Sequence, residues 1–190
     1  MALLRLATLV LIVQALTAQQ TAPASVQGVV LRANGEGPVS GTKLELRSST
    51  SASDSTVAIS DENGTFIFPE VTPGRYRLLA SRNGYVQAEY GQSFAGGPGL
   101  TLTVPAGQRL QNIRIAMTSG GVITGRVLDR GKPAGTARVI VFKATYELGQ
   151  RVTSEVLSGM TNDLGEYHIF WLPPGRYYVA AVISDGPPDR

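Results

Sequence analysis

The stretch Pro69–Leu78, PEVTPGRYRL, is nearly repeated a hundred residues later as Trp171–Ala180, WLPPGRYYVA. Each Pro-Gly-Arg-Tyr is wedged between two runs of alternating apolar residues. A loop that occurs once can be a site, whereas one that recurs with its flanks is part of a repeated fold. The echo extends outward without a gap: Ser60–Ala80, SDENGTFIFPEVTPGRYRLLA, matches Thr161–Ala181, TNDLGEYHIFWLPPGRYYVAA. Upstream, Val26–Leu31 (VQGVVL) matches Ile123–Leu128 (ITGRVL). Pro38–Arg47 (PVSGTKLELR) matches Pro133–Phe142 (PAGTARVIVF) with a one-residue slip. Four blocks in the same order read as a duplication.

Within each copy the period is two. Val26, Gly28 and Val30 alternate with Gln27 and Val29; Leu44 and Leu46 straddle Glu45; Phe66 and Phe68 flank Ile67. Such runs, bounded by Gly, Pro, Asn and Asp, predict half-buried strands, and many of them with regular turn signals predict a small antiparallel sandwich. DENG and NDLG place glycine where a tight turn wants positive φ. In TPGRY and PPGRY, proline fixes φ and glycine relaxes it, so that the chain reverses. Parity turns Tyr76 and Tyr177 inward.

The order GxV…PxxGxxV…(D/N)xxGxYxFxxLPPGxYxV, carried here by DENGTFIFPEVTPGRYRL and NDLGEYHIFWLPPGRYYV, closely resembles the carboxypeptidase regulatory-like domain. That family is related in fold to transthyretin (prealbumin) and the collagen-adhesin B-type modules. The resemblance covers the two copies and implies an all-β chain of two tandem prealbumin-like sandwiches; comparison of the copies adds that the second lacks its last strands. It implies accessory, adhesive or spacer roles rather than chemistry. The peptidase in the family name belongs to catalytic domains beside which such modules sit, and no His-Glu-x-x-His pattern is present. Relatives that hydrolyse hydroxyisourate use several histidines and a C-terminal Tyr-Arg-Gly-Ser, which this chain lacks. The internal Lys–Asn isopeptide bond of some adhesin modules needs a first-strand lysine, and VQGVV and ITGRV have none. Lys43, Asn112 and Glu45 form the one remote candidate set, and parity places Lys43 and Glu45 in solvent.

The expected layout is a signal peptide over 1–18, a linker over 19–24, a first sandwich over 25–118 and a shortened second one over 119–190. The N-terminus, MALLRLATLVLIVQALTAQQ, has one charge, Arg5, then an apolar stretch to about Val13 and small residues, the pattern of a secretory signal helix. Cleavage after Ala15 or after Ala18 both fit. The apolar stretch falls short of the roughly 20 residues that span a bilayer, so no membrane span is expected after cleavage and the localisation read is secreted or periplasmic. The 190 residues contain no cysteine, which excludes disulfides and thiol chemistry. The 17 basic residues are scattered and the net charge is only +3, so no nucleic-acid partner is expected.

The copies differ in two ways. Copy one continues through a glycine-rich loop, GQSFAGGPG, into LTLTVPAGQRLQNIRIAM, two strands around a PAG turn ending at Met117. Copy two has no such continuation by Arg190, which leaves an open edge able to pair with a strand from a partner, or marks a shortened array. Second, where copy one carries Ile67, Pro69, Glu70 and Arg77, copy two carries His168, Phe170, Trp171 and Tyr178. An outward aromatic cluster offers a platform for sugar rings; it equally offers a packing surface. Polysaccharide and cell-envelope proteins are therefore the candidate partners. No catalytic residue, cofactor or metal site is assigned. His168 is the single histidine, usual zinc ligands are missing, and Asp61-Glu62-Asn63 and Asn162-Asp163 are turns rather than calcium loops. The reading is a non-enzymatic interaction, adhesive or structural protein, with a carbohydrate-binding module as the alternative.

Overall fold

A computed structural model describes residues 22–51 and 54–183. The signal segment 1–18, linker residues 19–21 and residues 184–190 lie outside the described residues. The described chain is all strand and turn.

Eight strands precede Thr118: β1 (Ala24–Arg32), β2 (Lys43–Ser48), β3 (Ser55–Ile59), β4 (Thr65–Val71), β5 (Gly74–Ser81), β6 (Ala88–Glu89), β7 (Leu102–Val104) and β8 (Arg109–Met117). One sheet has the order β4-β1-β8; the other runs β3-β2-β5-β6, with β7 also on β5. The two sheets enclose a core that includes Val26, Val30, Leu44, Phe66, Phe68 and Leu78. These are the residues that the period of two turns inward, while Gln27 and Ile67 face out.

Strand β8 runs parallel to β1, from Ser25↔Arg109 to Arg32↔Met117, and seals the core with Ile113, Ile115 and Met117. Between Val26↔Leu110 and Gly28↔Ile113 the register slips, and the extra residue Asn112 adopts φ +62°. Asparagine tolerates that left-handed conformation better than most residues. The parallel pairing is the feature that period and turns did not disclose, since a strand's direction depends on the path of the connection before it.

The later strands are β9 (Gly121–Arg126), β10 (Leu128–Asp129), β11 (Lys132–Pro133), β12 (Arg138–Glu147), β13 (Gln150–Met160), β14 (Glu166–Leu172) and β15 (Tyr178–Val182). They form a β14-β9 pair, a small β10-β11 pair and a β13-β12-β15 sheet. Here β9 pairs with β14 as β1 does with β4, and β12 with β15 as β2 does with β5. The other edges of β9 and β15 carry no strand among the described residues. The consequence shows in burial: Leu78 on β5 is 0% exposed, whereas Val179, its counterpart on β15, is 43% exposed. The core around Val141, Ile169 and Leu172 is correspondingly small.

The repeated turns agree atom for atom. The backbone N–H of Gly64 donates to Asp61 O at 3.0 Å, and that of Gly165 to Asn162 O at 2.8 Å. Asp61 Oδ1 accepts from the N–H of Asn63 and Thr65; Asn162 Oδ1 accepts from those of Leu164 and Glu166. Both glycines have the predicted positive φ, +73° and +74°. Each also presses on a neighbouring strand: a Cβ would stand 2.5 Å from Val30 O at Gly64, and 2.5 Å from Val127 O at Gly165. The buried Ser60 and Thr161 hydroxyls brace the two turns alike, donating to Val39 O and Ala134 O and accepting from the N–H of Thr42 and Ala137.

The Pro-Gly-Arg-Tyr loops have a different explanation from the expected one. Neither Gly74 nor Gly175 has positive φ. Instead the tyrosine folds back across the glycine, and a Cβ on Gly74 would lie 3.4 Å from Tyr76 Cε2. The phenol then donates to the carbonyl four residues earlier, Tyr76 to Thr72 O at 2.6 Å and Tyr177 to Pro173 O at 2.5 Å. Both rings pack against their cores and are partly buried. The motif is thus a latch that closes the hairpin.

Burial, with the Asp54 charge adding for Tyr76, raises both phenol pKa values above the ordinary value. A raised phenol pKa contributes stability that is present below about pH 10, the ordinary value, and lost as pH rises through the folded value. Tyr76→Phe should lower unfolding free energy by about 1 kcal/mol at neutral pH, the usual net worth of such a bond. The gap from wild type should narrow above about pH 10, as read by denaturant titration. A variant equal to wild type at neutral pH would contradict the latch.

Candidate functional site

The aromatic wall is built by a bulge. Along β14, Ile169 pairs with Ile123 and Leu172 with Gly121, so Phe170 and Trp171 together oppose the single residue Val122. A bulge breaks the alternation of faces, which lets two consecutive large side chains both stand out while Ile169 and Leu172 stay buried. Trp171 has φ +60°, a strained conformation for a bulky residue. Gly120 lies against it so closely that a Cβ there would be 2.6 Å from Trp171 Cα.

His168 stacks on Phe170, with ring centroids 6.0 Å apart and planes 10° apart, and Phe170 tilts 46° to Trp171 at 6.2 Å. Phe170 and Trp171 are each about half exposed, 48% and 52%. Tyr178, expected in the same cluster, is held elsewhere. It lies on β15 opposite Phe142, with the Arg151 guanidinium 5.2 Å from its ring centroid and hydrogen-bonded to its hydroxyl. One-residue parity could place it on an outer face but not decide which sheet that face belonged to.

Phe170 and Trp171 do not stand alone: with Val156, Leu157 and Pro173 they form one side of a cleft of about 810 Å³. The other side comes from the first half of the chain. It consists of Lys43, Arg77, Ser81 and Glu89 on the outer face of β2, β5 and β6, and of loop residues that include Arg82, Asn83, Gln87 and Gln92. Backbone contacts join the halves beside it: the N–H of Gly120 donates to Gly84 O at 2.9 Å, and Tyr85 and Ser119 form an isolated antiparallel bridge. Gly96, at φ +76°, abuts Pro173, 3.0 Å from where its Cβ would be to Pro173 Cγ.

Arg77 is ion-paired with Glu89, which pins both planar groups at the wall. Its guanidinium pKa is raised by that hydrogen bond and charge. Gln92 donates through Nε2 to Gly97 O at 2.6 Å, fixing the glycine-rich loop beside the cleft. The cleft therefore sets an apolar aromatic side against a side of guanidinium, carboxylate and amide groups. The polar wall was missed because it becomes part of a site only when the second half packs beside it. The glycines of GQSFAGGPG and of Ser119-Gly120-Gly121 were its one trace in the sequence.

No reactive constellation accompanies it. His168 is hydrogen-bonded to no acid or nucleophile, and no three His, Asp or Glu side chains gather to hold a metal ion, among the described residues. Lys43 lies on β2 in one sheet and Asn112 on β8 in the other. No helix among the described residues is long and apolar enough to cross a membrane.

The strands define an all-β protein of sandwich architecture. Residues 25–118 match the carboxypeptidase regulatory-like domain. Similar solved structures include the streptococcal ancillary pilin, at 14% identity and a TM-score of 0.40, covering 86% of this chain and 54% of that one. The Bacillus anthracis TIE protein is 16% identical with a TM-score of 0.40, covering 86% and 28%. The minor pilin of Streptococcus agalactiae is 15% identical with a TM-score of 0.39, covering 86% and 85%. The chain thus spans about half and about a quarter of the first two. No curated protein matches it.

Proposed function

We propose that this is an exported, non-catalytic binding protein of two sandwich modules, 25–118 and 119–190, which holds a saccharide in the cleft between them. The observation that carries this reading is that Phe170 and Trp171 line one cleft together with Arg77, Glu89, Gln87 and Gln92. A sugar ring has the same two-sided chemistry, with C–H faces that stack on aromatic rings and hydroxyls that need planar donors and acceptors. Export rests on the apolar N-terminal segment.

Trp171 is the single tryptophan, so its emission reports directly on the cleft. Titration with oligosaccharides should change that emission saturably, whereas a flat response across neutral and acidic oligosaccharides would overturn the reading.

A second surface is favoured by the edge of β9 that carries no strand among the described residues, since its counterpart β1 carries β8 over seven residue pairs. Unpaired strand edges recruit strands, and this edge suits an extended segment of a cell-envelope protein with β8's alternation. A peptide of the β8 sequence, Arg109–Met117, should slow amide hydrogen exchange along β9. Unchanged exchange at saturating peptide would contradict this.

A further inference from the structure

We propose that the saccharide is acidic, an oligomer bearing uronic acid carboxylates; this rests on the saccharide reading of the same cleft. The charged groups lining the cleft are Lys43, Arg77, Arg82 and Glu89. Three are cations and one is an acid, and the acid is already engaged by the Arg77 guanidinium. Lys43 and Arg82 form no ion pair among the described residues; the Arg82 guanidinium reaches only Ser40 Oγ, at 3.4 Å.

The two unpaired cations sit together. Lys43 opens β2 and pairs in register with Ser81, the residue immediately before Arg82. They therefore share one corner of the sheet, on the wall that faces Phe170 and Trp171. A cleft with one apolar wall focuses the field of charges on the other, because water is thinned where the field would be screened. A neutral saccharide would use the aromatic platform and the amides and leave this corner idle. A uronate places a carboxylate in the ring plane, beside the C–H face, where it can reach Lys43 or Arg82 while the ring stacks. Arg82 offers a planar fork suited to a carboxylate, and Lys43 a point charge. The Arg77–Glu89 pair would serve ring hydroxyls in either case. Two cations without a longer basic stripe are too few for a nucleic-acid track, so the match is to an intermittent charge such as a uronate chain carries.

The test uses the whole protein and two oligomers of equal length, a β-1,4-glucose oligosaccharide and the corresponding β-1,4-glucuronic acid oligosaccharide, with Trp171 emission as the signal. The uronate should bind at least about tenfold more tightly at low ionic strength. Its advantage should shrink in about 0.5 M salt, where the screening length falls below the size of the cleft. In Lys43→Gln/Arg82→Gln, both side chains being exposed, the uronate should fall to the level of the neutral oligomer, with an unchanged melting temperature showing an intact fold. Equal affinity of wild type for the two oligomers overturns the acidic assignment and leaves the saccharide reading standing. Quenching by neither overturns both.

Discussion

Gly28→Ala should destabilise the protein by about 3 kcal/mol, near the top of the overpacking range, while Gly125→Ala at the equivalent position should change stability by less than about 1 kcal/mol. The sequence treats the two glycines alike, in VQGVVL and ITGRVL. Their surroundings differ because, among the described residues, only one is covered by a further strand. A Cβ on Gly28 would stand 2.1 Å from the carbonyl oxygen of Ile113, on β8. That oxygen belongs to a strand fixed by parallel pairing on both sides of a bulge, so it cannot retreat without breaking the register. At Gly125 the obstacle is the hydroxyl end of Tyr167, at 2.6 Å, and a partly buried side chain can swing away. The alanine also lowers the entropy of the unfolded chain, which offsets part of the crowding. Thermal unfolding should show a fall of roughly 12 °C or more for the first variant and little for the second. Equal, large losses at both positions would mean that β9 is covered after all.

Replacing Trp171 should abolish saccharide binding whichever small residue is used, but the replacements should differ in stability. Aromatic anchors at the centre of a binding surface typically carry about 2 kcal/mol or more, enough to weaken binding more than about tenfold. Trp171→Ala removes the ring and keeps a side chain at φ +60°. Trp171→Gly removes the ring and relieves the backbone, so it should be the more stable variant by about 1 kcal/mol. Binding is best followed by calorimetry, since the variants have no tryptophan. A glycine variant less stable than the alanine variant would argue against strain in the bulge. Retained affinity in both would remove the aromatic platform from the account.

How much of this was legible in the sequence depends on whether a feature is local. Gly64 and Gly165 announce their turns because positive φ is a property of the residue itself. Leu44, Leu46, Phe66 and Phe68 announce the core because a strand's two faces alternate strictly. The tyrosine latch was half legible: repetition marked it, but the role of Gly74 as clearance for a ring requires knowing that the ring folds back. Trp171 and Phe170 were found because they replaced a glutamate and a proline between otherwise matched copies. Tyr178 lies on β15 beside Arg151 rather than on β14, because alternation gives a residue's face and not the sheet to which that face belongs. The polar wall of Lys43, Arg77, Arg82 and Glu89 was invisible, because it is brought to the aromatic wall by backbone contacts of Gly84 with Gly120 and of Tyr85 with Ser119. Backbone pairing of this kind leaves almost no trace in side-chain pattern.

The central claim is that one ligand touches both halves of the chain at once. Nuclear magnetic resonance with a bound saccharide tests it most directly, because the indole N–H of Trp171 is a single, separate signal. The account predicts that this signal and the backbone amides of Arg77, Arg82 and Glu89 shift together along one binding curve. Shifts confined to His168, Phe170 and Trp171, with the first half silent, would contradict it.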